Sequence, residues 1–418
     1  MRALLITDWL PGGGGAEVYM AGVRDGLRAA GEDVRLLTSS AGSAGDDTAE
    51  YRAYGTGRLA AKAVLQIINP FALVTLRSAL REFRPEVVFL NMFEYQLSPA
   101  ILAPLRRVPT VLIVSDYKGI CPIGSKLLPS GRVCQDRAGL VCWRSGCVSL
   151  PHWLRDQPRY ALLRAGRKHV NRVLACSRWV QRELERNGVQ AEHLTLPVPA
   201  PGPSFSRAPA EHPLFVYCGR LDRTKGLALL LRAFARLRPN APSARLRIVG
   251  AGPERQRLER LVEAFDLRGA VSFRGWVAPA EVERELVDAW AVVVPSLWAE
   301  PLGLVALEAV VRGVPVIASA GGGLGEVVEH GSSGLLFPNG DEAALVRHLL
   351  AIARAEAFPS HSLPGSVSRR VRELHSPSRH IDHLRRIFRE TASPIPRAGL
   401  LSGAPPPART GRPGARQP

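Results

Sequence analysis

Short apolar runs alternate with longer amphipathic stretches along most of the chain. RALLIT opens it, the helical pattern AEVYMAGVRDGLRAA follows and stops at Gly31, and DVRLLTS reads as the next strand. EVVFLN (86–91), TVLIV (110–114) and RVLACS (172–177) carry the β-branched density of buried parallel strands. Between them the spacing predicts helix over Leu59–Phe83, broken near Asn69-Pro70, a short helix over Leu97–Leu105, helix over Pro151–His169, and RWVQRELERNG with a glycine stop. Residues 41–57, rich in Gly, Ser and Asp, read as a loop. Prolines over 197–213 mark a linker, and a second series begins at LFVYCG. Strand-like LRIVG, AVSF, AVVVP, VPVIAS and GLLF follow, with helices between most of them. Strands alternating with helices imply α/β architecture: two Rossmann-like, doubly wound parallel-sheet domains, residues 1–200 and 214–377, facing across a cleft with 201–213 as linker. From Thr391 to Pro418 the chain is rich in Pro, Gly, Ala and Arg and is expected to be a disordered basic tail.

Composition narrows the class. At 418 residues the chain exceeds one typical core, and 46% apolar content with a mean hydropathy near zero suits a globular protein. No run of 18 apolar residues predicts a transmembrane helix, and MRALLITDW turns polar too soon for a signal peptide, so a cytoplasmic protein is expected. The net charge is +18, and residues 106–172 hold thirteen Lys or Arg against three Asp or Glu. Such a stretch favours an anionic membrane surface or an anionic substrate; no zinc-finger or RNA-recognition pattern points to nucleic acid.

The turns between strands and helices carry the candidate chemistry. In SLWAEPLGLVALEAVVRGVPVIAS, Pro301 suits the first position of a helix that Gly313 ends. Glu300 and Glu308 lie eight residues apart, roughly 12 Å along a helix axis. Between them, free N–H groups at Leu302, Gly303 and Leu304 and the positive end of the helix dipole form an anion site flanked by two carboxylates. A nucleoside diphosphate sugar has that layout; an ordinary surface helix with two glutamates is the competing reading. VYCGRLDRTKG places Gly219, Arg220 and Lys225 between a strand and a helix, an arrangement for holding phosphate, against the alternative of a solvated loop. Gly250, Gly275-Trp276 and Gly321–Gly323 with Glu326 repeat the Gly-bearing turn, and Gly12–Gly15 do so after the first strand.

Taken together, YCGRLDRTKG, LRIVGAGP, VSFRGWV, EPLGLVALEA, RGVPVIAS and GGLGEVVEHGSSGLLF resemble the nucleotide-sugar-binding half of the retaining glycosyltransferases of family 4, over about Leu214–Asp341. GGGGAE and ACSRWVQREL agree more loosely in the first half. The resemblance implies a GT-B fold whose first domain is the acceptor side and whose last helix, about 378–390, crosses back to it. It implies a metal-independent transfer from a UDP- or GDP-sugar to a glycan or lipid-linked acceptor; the basic stretch 106–172, apart from the resemblance, adds the expectation of a peripheral place at the inner face of the membrane. It places Arg220 and Lys225 on the diphosphate, Glu308 on the ribose, Glu300 on the sugar hydroxyls, Gly303 and Leu304 N–H groups on phosphate, and Gly275, Trp276 and Val277 near the base. Gly14, Gly219, Gly250 and Leu302 complete the donor set, and Asp116 joins the catalytic candidates.

Two departures stand out. Where many relatives carry His before Asp116, this chain has Ser115, and a hydroxyl is not a useful base near neutral pH. That motivates a second reading, a nucleotide-sugar-binding pseudoenzyme or scaffold; a two-domain epimerase is a third, disfavoured by the Arg220, Lys225, Glu300 and Glu308 set. The segment 115–150 also holds Cys121, Cys134, Cys142 and Cys147, compatible with structural zinc, a disulfide or redox pair, or plain thiols. Trp143 and Trp153 among arginines fit a membrane-facing surface. Donor base, sugar, acceptor and oligomeric state are not specified by these residues.

Overall fold

A computed structural model describes residues 1–8, 14–41, 48–202 and 205–393. The first sheet contains β1 (Arg2–Ile6), β2 (Asp33–Ser39), β3 (Tyr51–Ala53), β4 (Val87–Asn91), β5 (Thr110–Val114), β6 (Arg172–Ala175) and β7 (Glu192–His193). Its order is β3-β2-β1-β4-β5-β6-β7, and every pairing is parallel. Helices α1 (Gly15–Ala29), α2 (Leu59–Leu65), α3 (Pro70–Phe83), α4 (Leu140–Arg144), α5 (Leu150–Arg167) and α6 (Arg178–Arg186) connect these strands.

The second sheet contains β8 (Leu214–Cys218), β9 (Arg245–Val249), β10 (Val271–Gly275), β11 (Ala291–Val294), β12 (Val316–Ser319) and β13 (Gly334–Phe337), ordered β10-β9-β8-β11-β12-β13 and again parallel. With it go α7 (Leu227–Leu237), α8 (Arg255–Ala264), α9 (Val282–Leu286), α10 (Leu304–Val311), α11 (Leu324–Val327), α12 (Glu342–Ala353) and α13 (Gly365–Leu374). Each sheet reverses its winding once, between β1 and β4 and between β8 and β11, and ligands bind outside strand C-termini at such points.

The last helix, α14 (Pro377–Ala392), returns to the first sheet and packs on α1, β4 and β5. Phe388 meets Phe89 with ring centroids 5.3 Å apart, and Ile381 fills the notch left by the missing side chain of Gly26. Buried His380 ties α14 to Tyr19 at 3.0 Å and to the Thr195 carbonyl at 2.9 Å. The expected crossover helix is therefore present, slightly longer than the pattern suggested. No single helix among the described residues is long and apolar enough to cross a membrane.

Three local expectations need correction. Tyr51–Ala53, read as loop, is an edge strand whose Tyr51 and Ala53 are buried. The helix expected at Leu97–Leu105 is two 3₁₀ turns, Pro99–Leu102 and Pro104–Arg107, because each proline removes a backbone donor. The helix after β11 starts at Leu304 rather than Pro301. Glu300 forms a parallel bridge with Gly322, and the Pro301 carbonyl accepts the Ser177 hydroxyl, so Glu300–Leu302 is held outside the helix. The expected tail lies, from residue 394 onward, outside the described residues, as do Gly12 and Gly13.

Candidate active site

The Gly-bearing turns of the second domain meet at the strand C-termini. Gly219 N–H donates to the Val249 carbonyl at 3.0 Å, and Gly250 N–H to the Gly275 carbonyl at 2.7 Å, so the turns after β8, β9 and β10 are stitched in sequence. A Cβ on Gly250 would stand 1.9 Å from the Gly219 carbonyl oxygen, and one on Gly226 1.9 Å from that of Pro295. Both residues have positive φ, so glycine is required for conformation and for space.

This packing sets Lys225 opposite Glu300. Asp222 caps the 3₁₀ turn Arg223–Lys225 by accepting the Thr224 N–H, and that turn aims Lys225 Nζ at Glu300 Oε1, 2.7 Å away. Ser296 donates to the same oxygen at 2.5 Å, and the Lys225 ammonium lies 5.1 Å from the Trp298 ring centroid. Arg220, largely exposed, is held by Asp222 at 2.6 Å. Three residues after Glu300, Gly303 (φ 92°) turns the chain into α10, whose first N–H groups have no intrahelical acceptor.

Glu308 sits one turn inside α10, not two, a consequence of the later helix start. Burial pushes its carboxyl up, against the pull of Arg312. It also helps raise Cys218, which burial takes up to about 12, so Glu308 faces the end of β8. Among the described residues the Glu308 carboxylate accepts no hydrogen bond, which leaves it available to ligand hydroxyls. Trp276 is exposed beyond Gly275, and Val277 lies beside Arg274 and Arg284 in a groove on the sheet flank.

The first domain closes against this edge. A Cβ on Gly15 would lie 2.6 Å from the Leu304 side chain, so the start of α1 rests on the start of α10; Gly14 stands next to it, beside Glu17. Glu326 accepts the N–H groups of Arg178 and Trp179 at 2.9 and 2.7 Å, capping α6 from the opposite domain. Tyr117 meets Trp298 edge-on at 6.0 Å. Asp116 accepts the Tyr95 hydroxyl at 2.7 Å and the Lys118 N–H at 3.0 Å. Burial pushes the Asp116 carboxyl up, with those two donors opposing. Ser115 donates to Asn91 at 2.9 Å. A cavity of about 380 Å³, lined by Glu94, Ser115, Asp116, Lys118 and Arg167 with an apolar wall including Leu112, opens here.

Glu17, not singled out from sequence, links the halves. Burial raises its carboxyl, Arg220 of the second domain lowers it, and Asp116 raises it further, so the three charges share one region. Its position two residues after the glycine run was the available signal. The buried Glu94–Arg159 pair, 3.3 Å apart, was also missed, since its partners are 65 residues apart.

All six cysteines are free thiols. Burial raises Cys142 and Cys147, and each also feels Cys121 and Cys134. Among the described residues no group of three or more His, Cys, Asp or Glu is arranged to hold a metal ion. As placed, the four thiols do not fit a zinc ion.

Two parallel-sheet domains with phosphate-type turns facing a common cleft define a GT-B glycosyltransferase architecture. The chain belongs to the glycosyltransferases of group 1: the "Glycosyl transferases group 1" family model matches residues 203–361, and the "Glycosyl transferase 4-like domain" model matches 14–199. It is 31% identical over 172 residues to the putative colanic acid biosynthesis glycosyltransferase WcaL of Salmonella typhimurium, covering 40% of this chain and 41% of that protein. The chain thus spans about two fifths of the length of the curated relatives it matches. In structure it resembles sucrose-phosphate synthase from Thermosynechococcus elongatus (TM-score 0.71, 23% identity, 93% and 98% of the two chains). It also resembles Anabaena HepE solved in complex with UDP (TM-score 0.65, 17% identity, 94% and 99%).

Proposed function

We propose that this protein transfers a hexose-type sugar from a nucleotide-sugar donor to a glycan or lipid-linked acceptor, with retention and without a required metal. The Lys225–Glu300 pair in front of α10 carries the reading. The donor diphosphate takes Lys225, Arg220 and the N–H groups of Gly303 and Leu304, while Glu300 turns to the sugar hydroxyls and Glu308 to the ribose. The C1–O bond to the diphosphate breaks as the acceptor oxygen bonds to C1 on the same face, and the acceptor proton passes to the departing phosphate. Cations and the helix dipole stabilise the charge that develops there. Asp116 and Glu17 stand on the acceptor side. Trp276 and the Gly250 and Gly275 turns belong to the base end, with UDP favoured over GDP by the UDP complex of HepE. The protein works at the inner face of a membrane, and the charge of residues 106–172 supports that placement.

Ser115 favours one rival. Its hydroxyl is committed to Asn91, so it supplies no base, and the chain then binds nucleotide sugars without turning them over. Thermal shift with UDP- and GDP-sugars, followed by donor-hydrolysis assay, separates the two readings. Stabilisation with sugar release or transfer supports the transferase; stabilisation with neither donor hydrolysis nor sugar transfer to an added acceptor favours the rival.

A further inference from the structure

The first domain exposes an apolar surface that the transfer site does not use. On α2, α3 and the loop before them, Tyr54, Leu59, Val64, Ile68, Phe71 and Val74 show from 48% (Ile68) to 86% (Leu59) of their surface. Scattered single exposures of this kind are ordinary, but four on two adjoining helices with two more on the chain beside them form a patch. Tyr54 and Phe71 pair edge-on at 5.2 Å within it. Residues 51–81 hold five Lys or Arg and no Asp or Glu, and the acids Glu50 and Glu82 stand at the margin, beside Val74, so the patch is cationic with two carboxylates at one edge.

The two helices meet at a 51° bend, and the chain is tied down at that bend. Buried Asn69 caps α3 by accepting the Ala72 N–H, and its amide donates to the carbonyls of Tyr54 and Gln96 at 2.9 and 2.8 Å. Gln96 N–H in turn donates to Asp8 at 2.9 Å, just after β1. An apolar face fixed this firmly is presented to something, not left to collapse on itself.

A second exposed group adjoins it. Ile123, Trp143 and Leu154 are exposed on the cysteine-bearing segment and the start of α5, where residues 117–155 hold six Lys or Arg against the single acid Asp136. Tyr95 joins the two groups. Gln66, just after α2, donates to the Tyr95 carbonyl at 3.3 Å, and a Cβ on Gly124 would stand 3.2 Å from the Tyr95 hydroxyl. That hydroxyl is the one bonded to Asp116. The apolar, cationic surface therefore runs to the acceptor end of the cleft.

We propose that the bent α2–α3 pair and the 117–155 segment together form the face on which this protein docks to an anionic lipid bilayer, bringing a lipid-linked acceptor to Asp116. This rests on the transferase reading for the identity of the acceptor, but not for the docking itself. Apolar side chains ringed by Lys and Arg match the acyl–headgroup boundary, where apolar area and attraction to anionic lipid act together. A second copy of the chain fits worse. A two-fold dimer through this face would set the cations of one copy against the same cations of the other.

The test is vesicle flotation of the full chain, with phosphatidylcholine vesicles and with vesicles carrying a third phosphatidylglycerol. The wild type is expected to bind the anionic vesicles about tenfold more than the neutral ones, with loss at high salt. Leu59→Ser/Val64→Ser, at positions open to solvent, is expected to reduce that binding about tenfold without lowering the melting temperature. Val74→Ser serves as a second, milder probe, and Leu374→Ser, exposed on α13, is expected to bind as wild type. Donor hydrolysis in solution is expected to be unchanged in all of them. Equal weak binding to both vesicle types overturns the docking face, as does binding indifferent to the α2–α3 substitutions. A dimer in sedimentation that these substitutions dissolve overturns it in favour of self-association. Vesicle binding as expected with no donor turnover leaves the docking face standing and removes the transferase reading alone.

Discussion

Lys225 Nζ lies 2.7 Å from Glu300 Oε1, the oxygen that also accepts the Ser296 hydroxyl. The side chains are 21% and 7% exposed, so the pair is largely desolvated, and each charge depends on the other. On the proposed reading a donor divides it, phosphate taking the ammonium and sugar hydroxyls the carboxylate. Lys225→Ala is therefore expected to lower kcat by about 10²-fold or more, as loss of a charge-stabilising donor does. Glu300→Gln keeps the shape and should lower kcat/KM with a smaller change in melting temperature. Steady-state kinetics on both variants check this; a Lys225→Ala enzyme of normal kcat removes the cation from the mechanism.

Glu308 predicts a trade of stability for binding. Burial raises its carboxyl in the folded protein, so the native state holds the proton to higher pH than the unfolded chain. Its contribution is thus favourable below the unfolded carboxylate range and is lost as pH rises through the raised value. Glu308→Gln is expected to raise the melting temperature of the ligand-free protein at pH 7 to 8, with the gain shrinking toward pH 4. The same change should weaken nucleotide-sugar affinity about tenfold through the lost hydroxyl contacts. Calorimetric titration and melting curves read both; unchanged affinity would refute the ribose assignment.

Which parts of this were legible in the sequence follows from range. The β8 strand, Gly219 and Lys225 lie within twelve residues, and a β-branched run, a glycine and a basic turn each leave a local mark. The same holds for α1 and for Gly226 before α7. The start of α10 did not show, because what holds Pro301 out of the helix is Ser177, 124 residues away, together with the Glu300–Gly322 bridge. Tyr51–Ala53 gave no strand signal because three residues pairing on β2 carry too short an alternation. Glu17 looks like an ordinary helix residue until Arg220 is set against it from the other domain, and the turn carrying Glu326 gives no sign in the sequence that its partners are the first N–H groups of α6.

The glycine turns can be tested with a matched pair. Gly226→Ala places a methyl 1.9 Å from the Pro295 carbonyl oxygen at a φ of 72°, whereas a Cβ on Gly269 meets nothing within 4 Å. Gly226→Ala is expected to destabilise the fold by more than about 2 kcal/mol, and Gly269→Ala by less than about 0.5 kcal/mol. Urea denaturation of the two variants compares them directly. Equal stability would mean that the β8 and β11 turns do not pack as described.

Glu326 is a cap supplied from across the cleft. Its carboxylate takes the N–H groups of Arg178 and Trp179, while Ser177 takes that of Val180 and donates to Pro301. Glu326→Ala leaves two helix donors without their partner and removes a tie between domains; a loss of about 1 kcal/mol is expected. The more telling readout is scattering: the variant should show a larger radius of gyration that nucleotide sugar reduces. A radius identical to wild type, with and without donor, would show that the tie does not hold the domains together.

His380 makes the crossover helix sensitive to acid. Burial brings its imidazole down to about 4, with the Thr195 carbonyl opposing, and Tyr19 completes its hydrogen bonds. The folded protein therefore binds fewer protons than the unfolded chain between about pH 6.5 and pH 4. The group's stabilisation is full above the unfolded value and is lost as pH falls through that window. The shift corresponds to on the order of 3 kcal/mol by pH 4. His380→Gln is expected to cost stability at pH 7, where the Tyr19 and Thr195 contacts are weakened, yet to flatten the decline toward acid. Denaturation midpoints of wild type and variant across pH 7 to pH 4 decide it. Parallel curves would place the acid sensitivity elsewhere, in His375 or His383, whose imidazoles burial also lowers.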